Sequence, residues 1–279
     1  MSEQTSNIVS KVWGMCGPLR DDGVSYGDYL EQITYLIFLK MADEYSKPPY
    51  KRDSGIPKGF TWADMSDLKG AELEEQATLE KLGEQGGILG KIFKGATNKI
   101  NNAAILYRVV QMIGKETWVA MSSDVKGEIY EGLLQKNAED IKSGAGQYFT
   151  PRPLIRAMVK CMRPEPMKTI ADPCCGSGGF FLAAQEFIAD SENYTLDREQ
   201  KEFLKSETFF GNEIVPATYK TALMNLYLHN IGDIYGTVPV TLGDALLTDP
   251  GYRVDYVLTN PPFGKKSTLT FTNEEGEQE

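Results

Sequence analysis

Residues 169–182, TIADPCCGSGGFFL, carry the pattern that decides the fold. The run from Thr169 to Asp172 predicts a short buried strand, which a glycine-rich turn connects to an apolar helix. In that geometry a backbone approaches a ligand closely. The glycines lack both the dinucleotide spacing and the Gly-Lys-Ser/Thr ending of a phosphate-binding loop. Asp172 places a carboxylate at the strand end, which suits a cationic group, so the loop indicates a nucleoside–amino acid site rather than a pyrophosphate site.

Two more predicted strands end in carboxylates. Residues 208–214, TFFGNEI, carry Glu213, and residues 238–244, VPVTLGD, end in Asp244. An acid in the position of Glu213 commonly accepts hydrogen bonds from ribose hydroxyls, whereas Asp244 is equally well explained as a helix N-cap. The polar run 196–206 predicts an extra surface helix ahead of the strand that carries Glu213. Since parallel strands end at one edge of a sheet, we expect these acids to lie at a single ligand-binding edge.

A fourth apolar run, residues 254–259, leads into Asn260-Pro261-Pro262-Phe263. The two prolines restrict φ and remove two backbone donors. What remains is a rigid pair of acceptors, the Asn260 side-chain oxygen and the next carbonyl, beside an aromatic ring on which a flat heterocycle can stack. An adenine amino group needs this combination. The simpler interpretation is a proline-rich turn after a buried strand.

Three motifs occur here in the order seen in N6-adenine DNA methyltransferases, which this chain resembles. They are GQYFTPRP at residues 146–153, DPCCGSGGF at residues 172–180 and NPPF at residues 260–263. Further features are similar to the modification (methylation) subunit of type I restriction–modification systems, namely Tyr130, Leu133, Leu134, the approach KSGAG at residues 142–146 and the N-terminal stretch 28–43. The resemblance covers essentially the whole chain. It implies an α/β fold, with a helical N-terminal domain before a Rossmann-like methyltransferase domain.

The resemblance also implies the chemistry and the residues that carry it. S-adenosylmethionine would donate a methyl group to N6 of adenine in DNA, with no metal. The implied catalytic residues are Asn260, Pro261, Pro262 and Phe263. The implied donor-binding residues are Gln147, Tyr148, Phe149, Thr150, Pro151, Arg152, Asp172, Gly176, Ser177, Gly178, Gly179, Glu213 and Asp244. Residues 147–152 would wrap the methionine end, Asp172 would face its ammonium group, Glu213 the ribose, and Asp244 would lie near the donor adenine.

The charge balance bears on partners. The formal net charge is −10 and the pI is about 4.9, opposite to the charge of an autonomous DNA-binding protein. An acidic catalytic subunit can act on DNA if a partner supplies most phosphate and base contacts. The resemblance implies such a partner, a specificity subunit bound by two modification subunits, together with the restriction subunit of the same system.

Cysteine and histidine usage argues against a metal site. The four cysteines show no metal-ligand spacing, and His229 is the only histidine. No apolar run is long enough to cross a membrane, and the N-terminus lacks the pattern of a secretory signal. A reducing cytoplasm is therefore the expected compartment.

The chain is expected to divide near residue 141. Residues 1–141 form the helical domain, because apolar residues recur at helical spacing in 26–41, 105–113 and 125–134. Residues 142–279 form the N-terminal half of the methyltransferase domain, with a mobile acidic tail at 266–279. Sheets of the family run 3-2-1-4-5-7-6, so this C-terminally truncated chain would encode only 3-2-1-4. Its fourth strand would form a long apolar edge, and we expect the chain by itself to be incomplete for activity.

Two other interpretations stay open. The Asn-Pro-Pro-Phe tetrad also suits a protein glutamine amide, which would make the chain a protein methyltransferase. The long helical leader and the 147–151 motif argue against that reading. Alternatively, the chain is a non-catalytic cofactor-binding or assembly module. An Asn260→Ala change separates an enzyme, which would lose transfer, from a scaffold, which would keep its partners.

Overall fold

The computed structural model describes residues 26–70, 72, 79–100, 102–118, 150–247 and 249–262, with residues 10 and 14. Its helices are Tyr26–Ser46 (α1), Trp62–Ser66 (α2), Glu80–Gly83 (α3), Gly87–Phe93 (α4), Ala103–Gly114 (α5), Arg152–Met162 (α6), Gly179–Ala189 (α7), Arg198–Ser206 (α8) and Pro216–Leu228 (α9). Its strands are Ile170–Asp172 (β1), Phe209–Glu213 (β2), Val240–Leu242 (β3) and Tyr256–Val257 (β4). The helices expected from the first two apolar stripes are confirmed. The stripe at 125–134, the division at residue 141 and the tail 266–279 lie outside the described residues.

The four strands form one parallel sheet in the order β3-β2-β1-β4. In the centre, Ile170 of β1 pairs with Phe209 on one side and with Tyr256 on the other. Glu213 at the end of β2 pairs with Leu242 at the end of β3. The predicted 3-2-1-4 order is therefore confirmed, and the polar groups that follow the strands gather at one edge.

The two outer strands are shorter than their sequence patterns predict. β3 has three residues and β4 has two, against the predicted runs 238–244 and 254–259. Each outer strand has a neighbour on one side only, so pairing extends only as far as β2 or β1 supports it. The prediction of a long apolar edge is therefore wrong, because β4 is short. Val257 is 56% exposed, but the next residue, Leu258, is buried and donates its N–H to Ala171 O.

Helices pack on the sheet through apolar faces. α7 begins directly after the glycine-rich turn and is buried along most of its length, with the Phe181 ring 5.2 Å from the Phe209 ring of β2. The predicted extra helix is confirmed as α8. It begins after Asp197, whose carboxylate accepts the Gln200 N–H while the Gln200 side chain accepts the Asp197 N–H. Across the described parts of the chain, no helix combines the length and apolar character needed to span a bilayer.

The N-terminal helical part is joined to α9 by a half-buried arginine. The Arg52 guanidinium donates to Tyr227 O and, at 3.2 Å, to Leu228 O, the carbonyls at the end of α9. It also lies over the rings of Tyr45 and Tyr227, 5.5 and 4.9 Å from their centroids. The last carbonyls of a helix have no partner within the helix and carry partial negative charge, so a cation satisfies both needs. Tyr227 completes the joint by donating its hydroxyl to Ser54 O at 2.6 Å.

A second tie joins α1 to the first half of α9. Lys220 Nζ donates to Glu31 Oε1 at 3.0 Å and to the Tyr35 hydroxyl at 2.8 Å. Tyr35 in turn donates to Glu31 Oε1 at 2.6 Å, and its ring is fully buried against Phe93 of α4. Both ends of α9 are therefore held by the N-terminal helices.

Replacing Arg52 tests this joint. We expect Arg52→Met to lower the free energy of unfolding by on the order of 2 kcal/mol, because the α9 carbonyls lose a charged donor while the apolar stem is kept. Lys58→Met, at an exposed lysine of the same connection, should change it by less than about 0.5 kcal/mol. Urea denaturation followed by circular dichroism measures both. Equal losses in the two variants would contradict the role given to Arg52.

Candidate functional site

Four polar residues follow the four strands at the carboxyl edge of the sheet. β1 ends at Asp172 and β2 at Glu213, Asp244 lies two residues beyond β3, and Asn260 three residues beyond β4. The parallel register places Asp172 beside Gly211, two residues before Glu213. The expectation that these groups share one edge is confirmed by the topology.

The glycine-rich loop between β1 and α7 is held by hydrogen bonds from three directions. Cys175 N–H donates to Asn212 O of β2 at 2.9 Å, and Gly178 N–H closes the turn onto Cys175 O at 2.8 Å. From α9, the fully buried Asn225 donates Nδ2 to Ser177 O at 3.0 Å. The loop is therefore rigid before any ligand binds.

Gly178 shows why the loop needs glycine. Its φ is +84°, in the left-handed region that side chains rarely adopt, and a Cβ there would lie 3.3 Å from Leu226 Cδ2. Gly178 is also the residue from which α7 starts, since its carbonyl accepts the Leu182 N–H at 3.1 Å. The turn that aims α7 at the site thus depends on this conformation.

Glu213 holds the loop against the end of β2. Its Oε2 accepts the Gly176 N–H at 3.0 Å and its Oε1 accepts the Val215 N–H at 2.8 Å. The side chain is 8% exposed, and this burial raises the pKa of the carboxyl above its usual range. No local sequence pattern indicates this structural role, because it depends on how the loop folds back over the end of β2.

Asp172 lies beneath the loop and is 1% exposed. Its Oδ1 accepts the Cys174 N–H at 3.1 Å, a local turn that fixes the carboxylate. Burial, the largest cause, and the nearby Glu213 carboxylate together raise the pKa of Asp172 to about 6, although the hydrogen bond from Cys174 N–H lowers it. A buried carboxylate with this pKa is stabilised by a cationic ligand, which would replace the lost hydration.

Asp244 makes only a local contact among the described residues. Its Oδ1 accepts the Leu246 N–H at 2.9 Å, and the preceding Gly243 N–H pairs with Glu213 O at 3.0 Å. It caps a turn rather than a helix, so the N-cap interpretation is wrong in detail. The expectation that Asp244 lies near the donor adenine stays a prediction.

The residues ahead of α6 reach the same edge. The Asn260 side chain donates Nδ2 to Thr150 Oγ1 at 3.0 Å, and Pro151 O accepts the Leu154 N–H at 2.9 Å in the first turn of α6. Arg152 places Nη1 3.7 Å from the position that a Cβ on Gly179 would take, at the start of α7.

Pro261 and Pro262 are exposed beside Asn260. Of the predicted site, Gln147, Tyr148, Phe149 and Phe263 lie outside the described residues.

Two apolar side chains at this edge were missed in the sequence. Ile214, directly after Glu213, is 60% exposed, and Leu246, two residues after Asp244, is 93% exposed. One lies beside the buried Glu213 and the other beside the half-buried Asp244, so both are available at this edge to contact a flat apolar group. An apolar residue placed just after each strand-end acid was the available signal. Within the described ranges, no group of three or more His, Cys, Asp or Glu side chains is arranged to hold a metal ion.

Comparison with known proteins gives two family matches. The model described as N-6 DNA Methylase matches residues 121–278, more than half of the chain, and the HsdM N-terminal domain matches residues 8–115. The StySPI type I restriction enzyme methylase subunit of Salmonella potsdam is 35% identical, over 96% of this chain and 52% of that protein. The EcoKI methylase subunit of Escherichia coli (strain K12) is 34% identical with the same coverage, 96% and 52%. The chain spans about half the length of these curated relatives.

Solved structures agree on the fold. The crystal structure of a modification subunit from Vibrio vulnificus YJ016 superposes with a TM-score of 0.77 at 25% identity, over 96% of this chain and 62% of that one. The type I restriction-modification system methyltransferase subunit from Streptococcus thermophilus shares the fold, with a TM-score of 0.65 at 17% identity, over 95% and 65%.

The raised pKa of Asp172 predicts a gain in stability when its charge is removed. The folded pKa of about 6 exceeds the ordinary aspartate pKa of 3.8, so the wild-type protein loses stability as pH rises between those values. We expect Asp172→Asn to stabilise the ligand-free protein, with an advantage that grows by about 2 kcal/mol from pH 4.5 to pH 8. Urea denaturation at the two pH values measures it. Glu192→Gln, which removes an exposed acid, should show no such growth, and a pH-independent Asp172→Asn difference would refute the burial argument.

Proposed function

Because the chain belongs to the N-6 DNA methylase family, we propose that it transfers a methyl group from S-adenosylmethionine to N6 of adenine in DNA. It would do so as the modification subunit of a type I restriction–modification complex. One observation carries the proposal: Asn260, followed by two prolines, lies at the same sheet edge as the buried acids Asp172 and Glu213. An acceptor for an amino group and a site for a cationic nucleoside are thereby adjacent.

The residues at this edge fit the methyl donor from end to end. Asp172 would accept the ammonium group, and Arg152, at the positive end of α7, would attract the carboxylate. The remaining lone pairs of Glu213 would accept the ribose hydroxyls, since its two carboxylate oxygens offer about four acceptor sites and the N–H groups of Gly176, Ile214 and Val215 do not use all of them. The exposed Ile214 and Leu246 side chains would contact the adenine ring, near Asp244.

The transfer step asks the protein for alignment more than for acid–base chemistry. A sulfonium supplies a methyl group that is already activated, so the chain has to align the acceptor nitrogen in line with it. The amine of adenine is a weak nucleophile because its lone pair is delocalised into the purine. Asn260 Oδ1 and Pro261 O would accept both amino hydrogens and favour the pyramidal nitrogen of the transition state. Phe263 would stack on the base after it leaves the duplex.

The net charge of the chain bears on the partners that it would need. A chain with net charge −10 lacks the basic surface of an autonomous DNA-binding protein, so other subunits would supply most phosphate contacts. We propose a specificity subunit that binds two modification subunits, and a restriction subunit of the same system.

The two alternatives make different use of the same edge. A protein methyltransferase would place a glutamine amide against Asn260, and an assembly module would bind the donor without turnover. Residues 8–115 match the HsdM N-terminal domain, which favours the restriction–modification reading over the protein methyltransferase. The experiments below separate all three.

Donor binding is tested by calorimetric titration with S-adenosylmethionine. We expect saturable binding that weakens at least about tenfold in Asp172→Asn and in Glu213→Gln, because each loses a charged contact. Glu192→Gln, a matched charge loss at the opposite edge, should bind as wild type. Wild-type affinity should also fall roughly tenfold from pH 7.5 to pH 5, as Asp172 with a pKa of about 6 protonates. Full affinity in Asp172→Asn would refute its contact with the ammonium group.

Transfer is tested in the complete subunit assembled with its specificity subunit. We expect Asn260→Ala to lower methyl transfer to adenine at least about a hundredfold, because the amine loses its acceptor, while donor affinity and assembly persist. Asn193→Ala, in the loop at the opposite edge, is the matched control. Transfer to a glutamine peptide but not to DNA would establish the protein methyltransferase, and binding without any transfer would establish the assembly module.

A further inference from the structure

The hydrogen bond between Asn260 and Thr150 joins residues 110 positions apart in the chain. Asn260 Nδ2 donates to Thr150 Oγ1 at 3.0 Å, and both side chains are partly buried. A carboxamide has two ends of nearly equal size, one that donates and one that accepts. Only the accepting end can bind the hydrogens of an amino group. The direction in which the Asn260 amide is turned therefore decides whether the acceptor exists.

We propose that Thr150 is a positioning residue, whose hydroxyl accepts Asn260 Nδ2 and so turns Oδ1 toward the target amine. This inference rests on the proposed function. A threonine hydroxyl offers two acceptor lone pairs, and here one of them accepts from Nδ2, which leaves Oδ1 as the end of the amide that can face an amino group. In the opposite orientation Nδ2 would face the incoming amino hydrogens, and donor would meet donor.

Both partners are anchored by backbone, which holds the Thr150 hydroxyl and the Asn260 amide within hydrogen-bonding distance. Thr150 directly precedes Pro151, whose carbonyl accepts Leu154 and Ile155 N–H groups at 2.9 and 3.1 Å in the first turn of α6. The buried Ile155 side chain packs on the start of α7, with Cδ1 3.0 Å from the position of a Cβ on Gly179. The Thr150 hydroxyl is thus set relative to the glycine-rich loop.

Asn260 is anchored from the sheet. Two residues earlier, Leu258 N–H donates to Ala171 O of β1 at 3.0 Å, and two prolines with restricted φ follow. Rotation about its own side-chain bonds is the main freedom left to Asn260, and the hydrogen bond to the Thr150 hydroxyl restricts that rotation. The segment ahead of α6, assigned from the sequence to donor binding alone, would therefore also prepare the acceptor for the base.

Substitutions that separate the hydroxyl from the shape of Thr150 test the proposal in the complete subunit assembled with its specificity subunit. Thr150→Val keeps the shape and removes the acceptor, and Thr150→Ser keeps the hydroxyl. We expect Thr150→Val to lower kcat for adenine methylation roughly ten- to hundredfold, with the donor Kd changed less than about twofold. Thr150→Ser should restore kcat to within about threefold of wild type. Thr195→Val, at an exposed threonine before α8, is the matched control. A weakened donor Kd with unchanged kcat would overturn the proposal in favour of a donor contact.

The Asn260→Asp background makes the test specific to orientation. A carboxylate has two equivalent oxygens and needs no turning, so adding Thr150→Val to N260D should lower its residual kcat by less than about threefold. The same fold-loss in both backgrounds would overturn the proposal.

A readout independent of catalysis is the ¹⁵N side-chain amide resonance of Asn260 in the present chain, assigned by its loss in Asn260→Ala. We expect this resonance to shift in Thr150→Val, to stay near its wild-type position in Thr150→Ser, and to be unchanged in Thr195→Val. An unchanged resonance in Thr150→Val would refute the hydrogen bond itself. A shifted resonance in a complex that never methylates DNA would instead refute the proposed function and leave the orienting bond in place.

Discussion

The carboxylate of Glu213 is the contact on which the rest of the site depends. It holds the glycine-rich loop by the Gly176 N–H and the start of α9 by the Val215 N–H. α9 returns the constraint, because Asn225 donates to Ser177 O from its buried face. Since Arg52 satisfies the carbonyls at the far end of α9, the N-terminal helices support the loop through one rigid helix. The functional edge is thus built from both parts of the chain.

Burying carboxylates at this edge of the sheet disfavours their charged form. Asp172 and Glu213 are both buried at the edge, and burial holds the pKa of each above its usual range, with repulsion from Glu213 adding to the rise for Asp172. Ligand-free, the protein keeps two carboxylates in an environment that disfavours their charge. A cationic ligand would offset this unfavourable electrostatic energy. Part of its binding energy would therefore come from stabilising carboxylates that are destabilised in the free protein. Sites of this kind exchange stability for function.

Two layers of positioning act on the proposed reaction. β4 places Asn260 beside the loop through pairing with β1, and the Thr150 hydroxyl then turns its amide. The first of these interactions belongs to the sheet. The second is a single hydrogen bond to Thr150, in the segment that precedes α6. Because α6, which follows that segment directly, packs on the start of α7, the proposed donor and acceptor sites would share one support. Alignment of two reactants needs such a shared frame.

The sequence by itself determined the elements and their order: the strand–glycine–helix unit at residues 169–182, the acids Asp172 and Glu213, the helix before β2 and the Asn-Pro-Pro-Phe tetrad. Periodicity, turn residues and motif spacing are local, and a reader of sequence can recognise them; the resemblance then supplied the sheet order. Only the tertiary structure decided the second role of Glu213, the capping of α9 by Arg52 and the bond from Asn260 to Thr150, whose partners lie 37, 175 and 110 residues apart. It also shortened β3 and β4, since an edge strand extends only as far as its one neighbour pairs with it. Hydrogen bonds between distant segments depend on how packed elements meet, and no local pattern records that.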